Sequence, residues 1–151
     1  MTATITTRRT ASAVLAEHGS TLLRFVDHVV LDVAVADRIT GETVVAAART
    51  SAATAVSYQS LATAAWERLR VDPDVARVLA APVRTSSTPE TSYAAAVATA
   101  LGSLPIIDRA IWHLSTRDGL DSADISAIVG RSKPFVLAHI TRVTAAMPTA
   151  L

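Results

Sequence analysis

Cysteine is absent from this chain of 151 residues, which excludes a disulfide framework, a thiolate metal site and a cysteine nucleophile. Long apolar runs are also absent, because charged residues interrupt every hydrophobic stretch before it could span a membrane. The first ten residues include a basic pair, Arg8 and Arg9, but no apolar segment of the signal-peptide type follows it. These absences favour a reducing compartment, so we expect a cytoplasmic location and no membrane partner.

The sequence patterns of common enzyme classes are missing as well. There is no glycine-rich phosphate loop, no nucleophile elbow and no carboxylate pair spaced for acid–base catalysis. His113, next to Trp112, is expected to be a structural or surface histidine rather than a base. The histidines are scattered, with no pair at metal-ligand spacing, at His18, His28, His113 and His139. We therefore expect no enzymatic activity, no metal or other cofactor and no small-molecule substrate.

What the chain does contain points to packed helices. Half of its residues are hydrophobic and only 4% are aromatic, with abundant alanine and valine. This composition favours an all-α fold of small, tightly packed helices. The formal net charge of +1 argues against a polybasic nucleic-acid binder.

The segment from Leu101 to Met147 has the pattern of three helices separated by glycine turns. Gly119 ends the first helix, and Asp121 is placed to cap the second. Gly130 then breaks the chain, and Ser132 can cap the third. One narrow apolar stripe on this last helix consists of Val136, Ile140, Val143 and Met147. Two helices joined by a short turn, with a helix before them, form the helix-turn-helix pattern.

The last helix of this segment is the candidate for the DNA major groove. No Asp or Glu occurs from Ile125 to the C terminus, which suits contact with phosphate. The same three-helix unit could also be purely structural. The residues predicted to face DNA are Arg131, Ser132, Lys133, Pro134, Ala138, His139, Thr141 and Arg142. Because few of these side chains can read bases, we expect weak, salt-sensitive binding with little sequence preference.

A series of residues in this segment follows the order of a known family pattern. They are Leu104-Pro105, Arg109, Leu114, Gly119-Leu120, Asp124-Ile125-Ser126, Val129-Gly130, Ser132, Val136 and Arg142-Val143. In this order they resemble region four of the extracytoplasmic-function sigma factors of RNA polymerase. The resemblance implies promoter DNA as the ligand of this segment.

The N-terminal part is predicted to form a helical hairpin over residues 10–49, with Gly19 loosening or breaking the first helix. The stretches 16–26 and 36–43 are similar to region two of the same sigma factors. In that family the second stretch docks on the clamp helices of the largest polymerase subunit. Arg38 stands where the family usually has an acidic residue, and Gly41 where it has glutamine. The resemblance implies core RNA polymerase as a partner, contacted by Asp37, Arg38, Ile39, Glu42 and Thr43.

A third helix is predicted from about Val56 to Arg70. The corresponding sigma-factor helix and the loop before it open promoter DNA, which requires aromatic and basic groups that hold unpaired bases. Residues 49–56 contain no aromatic side chain. The substitutes in the helix are Tyr58, Trp66, Arg68 and Arg70, of which Trp66 is expected in the core.

Residues 72–91 are predicted to be a linker, because Pro73, Pro82, Pro89 and a Ser/Thr run occur there. A short helix near residues 75–81 could extend the first domain, and residues 93–100 are predicted to form the helix that leads into the motif. We therefore expect two small helical domains, 1–71 similar to sigma region two and 92–151 similar to region four.

Three functions are compatible with the sequence. The expected one is a sigma-factor-like transcription regulator that binds core RNA polymerase and promoter DNA, with an anti-sigma factor or another regulator as a further partner. The last helix also resembles that of LuxR-type regulators at Val136, Leu137, His139 and Ile140. The third alternative is a sigma-like protein that acts only through protein–protein contacts.

Overall fold

The computed structural model describes residues 10–50, 56–81 and 92–149, and this part of the chain is helical without any strand. The predicted all-α class is thus confirmed. None of these helices has the length and apolar character needed to cross a membrane. The helices are α1 Ala11–Val30, α2 Val33–Thr50, α3 Tyr58–Val71, α4 Pro73–Ala80, α5 Tyr93–Gly102, α6 Ile106–Thr116, α7 Ser122–Val129 and α8 Lys133–Ala146.

Short polar side chains begin most of these helices. The hydroxyl of Ser57 accepts a hydrogen bond from the backbone N–H of Ser60, and Asp72 accepts two such bonds at the start of α4. The expected loosening at Gly19 is wrong, because α1 continues through this buried glycine. A Cβ built at Gly19 would lie 2.7 Å from Leu15 Cδ1, which is the end of an exposed side chain on the same helix.

Helices before and after residues 82–91 share a hydrophobic core. We call α1–α4 the N-terminal block and α5–α8 the C-terminal block. α1 packs on α2 and α6, and α3 packs on α2 and α7. One buried cluster includes Phe25 and Leu61 from the N-terminal block with Ile111 and Ile125 from the C-terminal block. The arrangement as two domains is therefore not confirmed, and residues 82–91 of the predicted linker lie outside the described part.

Arg109 on α6 joins the two blocks at the end of α1. Its guanidinium donates hydrogen bonds to the carbonyl oxygens of Val29 at 2.8 Å, Leu104 at 2.9 Å and Gly102 at 3.1 Å. Val29 lies in the last turn of α1 and Gly102 ends α5, so two of these acceptors lie at the negative ends of helix dipoles. Burial lowers the pKa of Arg109. The negative ends of these two helix dipoles thus compensate the positive charge of Arg109.

Candidate nucleic-acid interface

The helix-turn-helix consists of α7 and α8, preceded by α6. The Asp121 side chain caps α7 by accepting from the N–H of Asp124, and Ser132 caps α8 by accepting from the N–H of Phe135. Between them Gly130 has a φ of 68°, in the left-handed region that glycine adopts readily. The predicted caps and turn are confirmed. The Ser126 hydroxyl, which donates to the carbonyl oxygen of Arg131, adds a further bond across the turn.

One face of α8 is buried and the other exposed, as the apolar stripe predicted. Val136, Val143 and Met147 are buried against the rest of the C-terminal block, and Ile140 is partly buried. Leu137, on the outer side, is 49% exposed. Ala138 and Thr141 are exposed beside it, so the centre of the outer face is small and mainly apolar.

One flank of α8 carries a stack of three side chains at helical spacing. The Arg131 guanidinium lies 4.8 Å from the centroid of the Phe135 ring, and the His139 ring stacks on Phe135 at 3.9 Å. Phe135 was not among the residues predicted to face DNA. Its position four residues after Arg131 and four before His139 was the sequence signal that could have found it.

Asp108 on α6 holds two of the predicted DNA-facing residues. Its buried carboxylate lies 2.5 Å from His139 Nδ1 and accepts a hydrogen bond from Arg142 Nη2 at 2.6 Å. His139, predicted on the flank of this helix, has its ring against α6, and only 16% of the side chain is exposed. Arg142 remains exposed at 61%, but a carboxylate offsets its charge.

The other predicted DNA-facing residues lie at the start and along the outer side of α8. Arg131, Lys133 and Pro134 are exposed around the first turn, where the free N–H groups and the helix dipole favour an anion. The hydroxyl of Ser132 is used in the cap, and that of Thr141 donates to the carbonyl of Leu137. The first turn of α8 therefore offers more groups for contact with phosphate than its outer side offers for contact with bases.

The predicted polymerase-facing residues of α2 are divided between core and surface. Ile39 and Thr43 are fully buried, and the Thr43 hydroxyl donates to the carbonyl of Ile39 at 2.7 Å. Their predicted contact with a partner is wrong, because this side of α2 packs inside the helical hairpin. Asp37 and Glu42 remain exposed, and Arg38 is partly buried.

Arg38 is bound within the N-terminal block. It forms ion pairs with Glu42 at 3.1 Å, Asp72 at 2.8 Å and Asp74 at 3.2 Å. Hydrogen bonding to Arg38 lowers the pKa of Asp72. Arg38, which departs from the sigma-factor pattern, thus links α2 to the start of α4.

A shallow groove of about 430 Å³ lies along the exposed side of α2 and reaches α3. Val45, which is 40% exposed, contributes apolar surface there. The groove is lined by Gly41, Glu42, Val45, Ala46, Arg49 and Arg68.

The residues considered for promoter opening have structural partners. Trp66 is buried, as expected, and the Tyr58 hydroxyl donates to Asp118 at 2.5 Å. Arg68 lies 3.5 Å from Glu42, and Arg70 lies 3.1 Å from Glu67. Residues 51–55, the loop before α3, lie outside the described part.

Within the described ranges, no three His, Asp or Glu side chains are grouped so that they could hold a metal ion. A scan of the sequence against models of protein families matches none of them, and a search of curated proteins finds no matching relative.

Proposed function

We propose that this protein is a sigma-factor-like transcription regulator that contacts duplex DNA through α8 and core RNA polymerase through the exposed side of α2. The observation that carries the proposal is the geometry of the helix-turn-helix. α8 follows a left-handed glycine, is capped by Ser132 and presents Arg131 and Lys133 around an exposed first turn. This is the arrangement in which a helix enters the major groove and its start approaches a phosphate.

The composition of α8 favours contact with the DNA backbone over base reading. Lys133 and Arg131 supply exposed cations for phosphate, whereas Leu137 and Ala138 offer only apolar contact with a thymine methyl group. His139 and Arg142, which could donate to base edges, are bound to Asp108. Strong promoter selectivity therefore requires a second protein, and polymerase is the partner that the family resemblance implies.

A titration of the full chain with labelled random and promoter-derived duplexes at about 0.05 and 0.2 M salt tests the DNA contact. Lys133→Ala should weaken binding to all sequences. It should also reduce, by about 1, the steepness with which the logarithm of the binding constant falls against the logarithm of the salt concentration. The matched control is Arg77→Ala, which removes an exposed cation on α4. Equal losses in both variants, or no binding at low salt, would refute the assignment to α8.

The polymerase contact is tested by pull-down of core enzyme with the full chain. Val45→Asp places a charge in the α2 groove and should abolish capture, because this apolar side chain is the exposed hydrophobic contact there. Val33→Asp is the control, since Val33 is also exposed but lies at the start of α2. Capture that is equal in the two variants would place the contact elsewhere.

A second candidate is a protein that binds only other proteins. It is favoured by the exposed Leu137 and by Asp108, which offsets cationic charge next to α8. This candidate predicts polymerase or regulator capture that persists although no duplex binds at any salt concentration.

A further inference from the structure

Arg131 differs from the other exposed cations of the helix-turn-helix because a neighbouring ring orients its side chain. Its guanidinium lies 4.8 Å from the centroid of the Phe135 ring. Lys133 is exposed at the start of α8, and Arg142 is bound to Asp108. Among the residues that the structure describes, none accepts a hydrogen bond from the Arg131 guanidinium. A guanidinium that packs over an aromatic ring keeps its N–H groups available for an outside acceptor.

A chain of contacts extends from the buried core to this guanidinium, and we call it the arginine stack: Asp108, His139, Phe135 and Arg131. The Asp108 carboxylate is only 1% exposed and lies 2.5 Å from His139 Nδ1. The His139 ring stacks on Phe135 with a centroid distance of 3.9 Å and an angle of 26° between the rings. The second oxygen of Asp108 accepts from Arg142, so the carboxylate itself is held in place. The position of Arg131 at the surface thus depends on a group in the core.

The backbone at Arg131 is held as well. Its carbonyl oxygen accepts a hydrogen bond from the Ser126 hydroxyl on α7, and Gly130 before it adopts the left-handed conformation of the turn. Ser132, which follows, caps α8. Arg131 therefore stands directly before α8, and in a docked helix-turn-helix the N-terminal residues of this second helix contact base edges.

Guanine presents a pair of acceptors that matches the guanidinium fork. Its O6 and N7 atoms lie side by side on the major-groove edge, and arginine binds them with two parallel hydrogen bonds. Adenine places an amino donor next to its N7 acceptor, cytosine presents an amino donor, and thymine presents a single acceptor. A phosphate also accepts from arginine, but it carries no sequence information, and Lys133 can contact it. Because the arginine stack fixes the direction of the guanidinium, it suits the reading of a base edge.

We propose that Arg131 reads one guanine in the major groove and that Phe135, His139 and Asp108 position its guanidinium for this contact. This role of Arg131 rests on the proposed contact of α8 with duplex DNA. It adds a single base-specific position to a contact that otherwise involves the DNA backbone. Guanine at that position should be favoured over the other bases by about 10-fold in binding constant.

Selection from a pool of random duplexes tests the proposal with the full chain. The bound duplexes are recovered at about 0.05 M salt and sequenced, and each variant is compared with the unsubstituted chain. The unsubstituted chain should enrich guanine at one position. Arg131→Lys retains the charge without the fork, so it should lose this enrichment. Arg77→Ala on α4 is the control and should retain the enrichment.

The positioning role of Phe135 has a separate readout. Phe135→Leu removes the ring beside Arg131 but not the guanidinium itself, and it should reduce the guanine enrichment. Phe135→Tyr keeps the ring and should enrich guanine as the unsubstituted chain does. Lys133→Ala should weaken binding to all sequences without changing the enrichment. Thermal unfolding of each variant, followed by circular dichroism, distinguishes a lost base preference from a loss of folding.

A chemical change in the DNA tests the same contact without any substitution in the protein. Replacing the selected guanine by 7-deazaguanine exchanges its N7 acceptor for a C–H group. This replacement should weaken binding of the unsubstituted chain by about 5-fold. Arg131→Ala should bind the two duplexes equally.

Equal binding of the two duplexes by the unsubstituted chain would overturn the proposal, as would guanine enrichment that survives in Arg131→Ala. If Arg131→Ala weakens binding to all sequences alike, Arg131 contacts phosphate, and the proposal is again overturned. Full enrichment in folded Phe135→Leu would refute the positioning role. Duplex binding without base preference refutes the role of Arg131 alone, whereas the absence of duplex binding at low salt refutes the proposed function as well.

Discussion

Removing the Arg109 side chain should destabilise the protein strongly, even though Arg109 has no carboxylate partner among the residues that the structure describes. We expect Arg109→Met, which keeps most of the volume, to leave the carbonyl oxygens of Val29, Gly102 and Leu104 without their donor. A buried acceptor that loses its partner costs about 1–3 kcal/mol, and this applies in full to Val29, whose bond to Arg109 is buried. The other two carbonyls lie in a partly exposed turn and can regain water, so about 0.5–1 kcal/mol each is reasonable. The sum is about 3 kcal/mol, a large part of a typical domain stability of about 5–15 kcal/mol.

Urea unfolding of the full chain at neutral pH measures this loss. Arg109→Lys is the informative comparison, because an ammonium can reach one or two carbonyls but cannot copy the planar fork of the guanidinium. We expect it to recover about 1 kcal/mol of the loss. Raising the salt concentration should leave the difference between variants unchanged, because the contacts are short, partly buried and made to neutral acceptors. A loss below about 1 kcal/mol for Arg109→Met, or full stability of Arg109→Lys, would refute the reasoning.

Three further changes have expected outcomes. Gly41→Ala should raise the free energy of unfolding by about 0.5–1 kcal/mol, because Gly41 lies inside α2 with open space where the Cβ would be; an unchanged melting temperature would contradict this. Gly130→Ala should lower the free energy of unfolding by about 1–2 kcal/mol, since φ is 68° at this residue, and Gly130→Asn should lower it less. Urea midpoints in the reverse order would show that backbone conformation is not the cause. Asp108→Asn should lower the melting temperature yet tighten duplex binding, because it removes the charge that holds Arg142. Weaker binding in a titration would mean that Asp108 orients Arg142 for DNA.

Local signals in the sequence predicted local structure well. Asp121 and Ser132 cap the helices that they were expected to cap, and Gly130 adopts the conformation that its position required. These features depend on neighbours within about four residues, for which spacing is sufficient information. The apolar stripe of α8 was predictable for the same reason.

Contacts between distant parts of the chain could not be read in this way. The spacing of His139 placed it on the flank of α8 but gave no sign of Asp108, 31 positions earlier, which binds it against α6. Ile39 was expected to anchor a partner, but the hairpin turns it into the core. His28 and His113, whose Nδ1 atoms lie 2.6 Å apart, carried no signal of this contact, because nothing in the sequence relates residues 85 positions apart. The caps were therefore predictable, whereas the partners of the charged side chains were not.

The helix-turn-helix is positioned by the whole protein rather than by the C-terminal block alone. α6 packs on α1 as well as on α7 and α8, and α7 also packs on α3. Arg109 ties α6 to the carbonyl of Val29 in the last turn of α1. The C-terminal block should therefore not fold as an independent DNA-binding module, because it would lose the core residues that α1 and α3 supply.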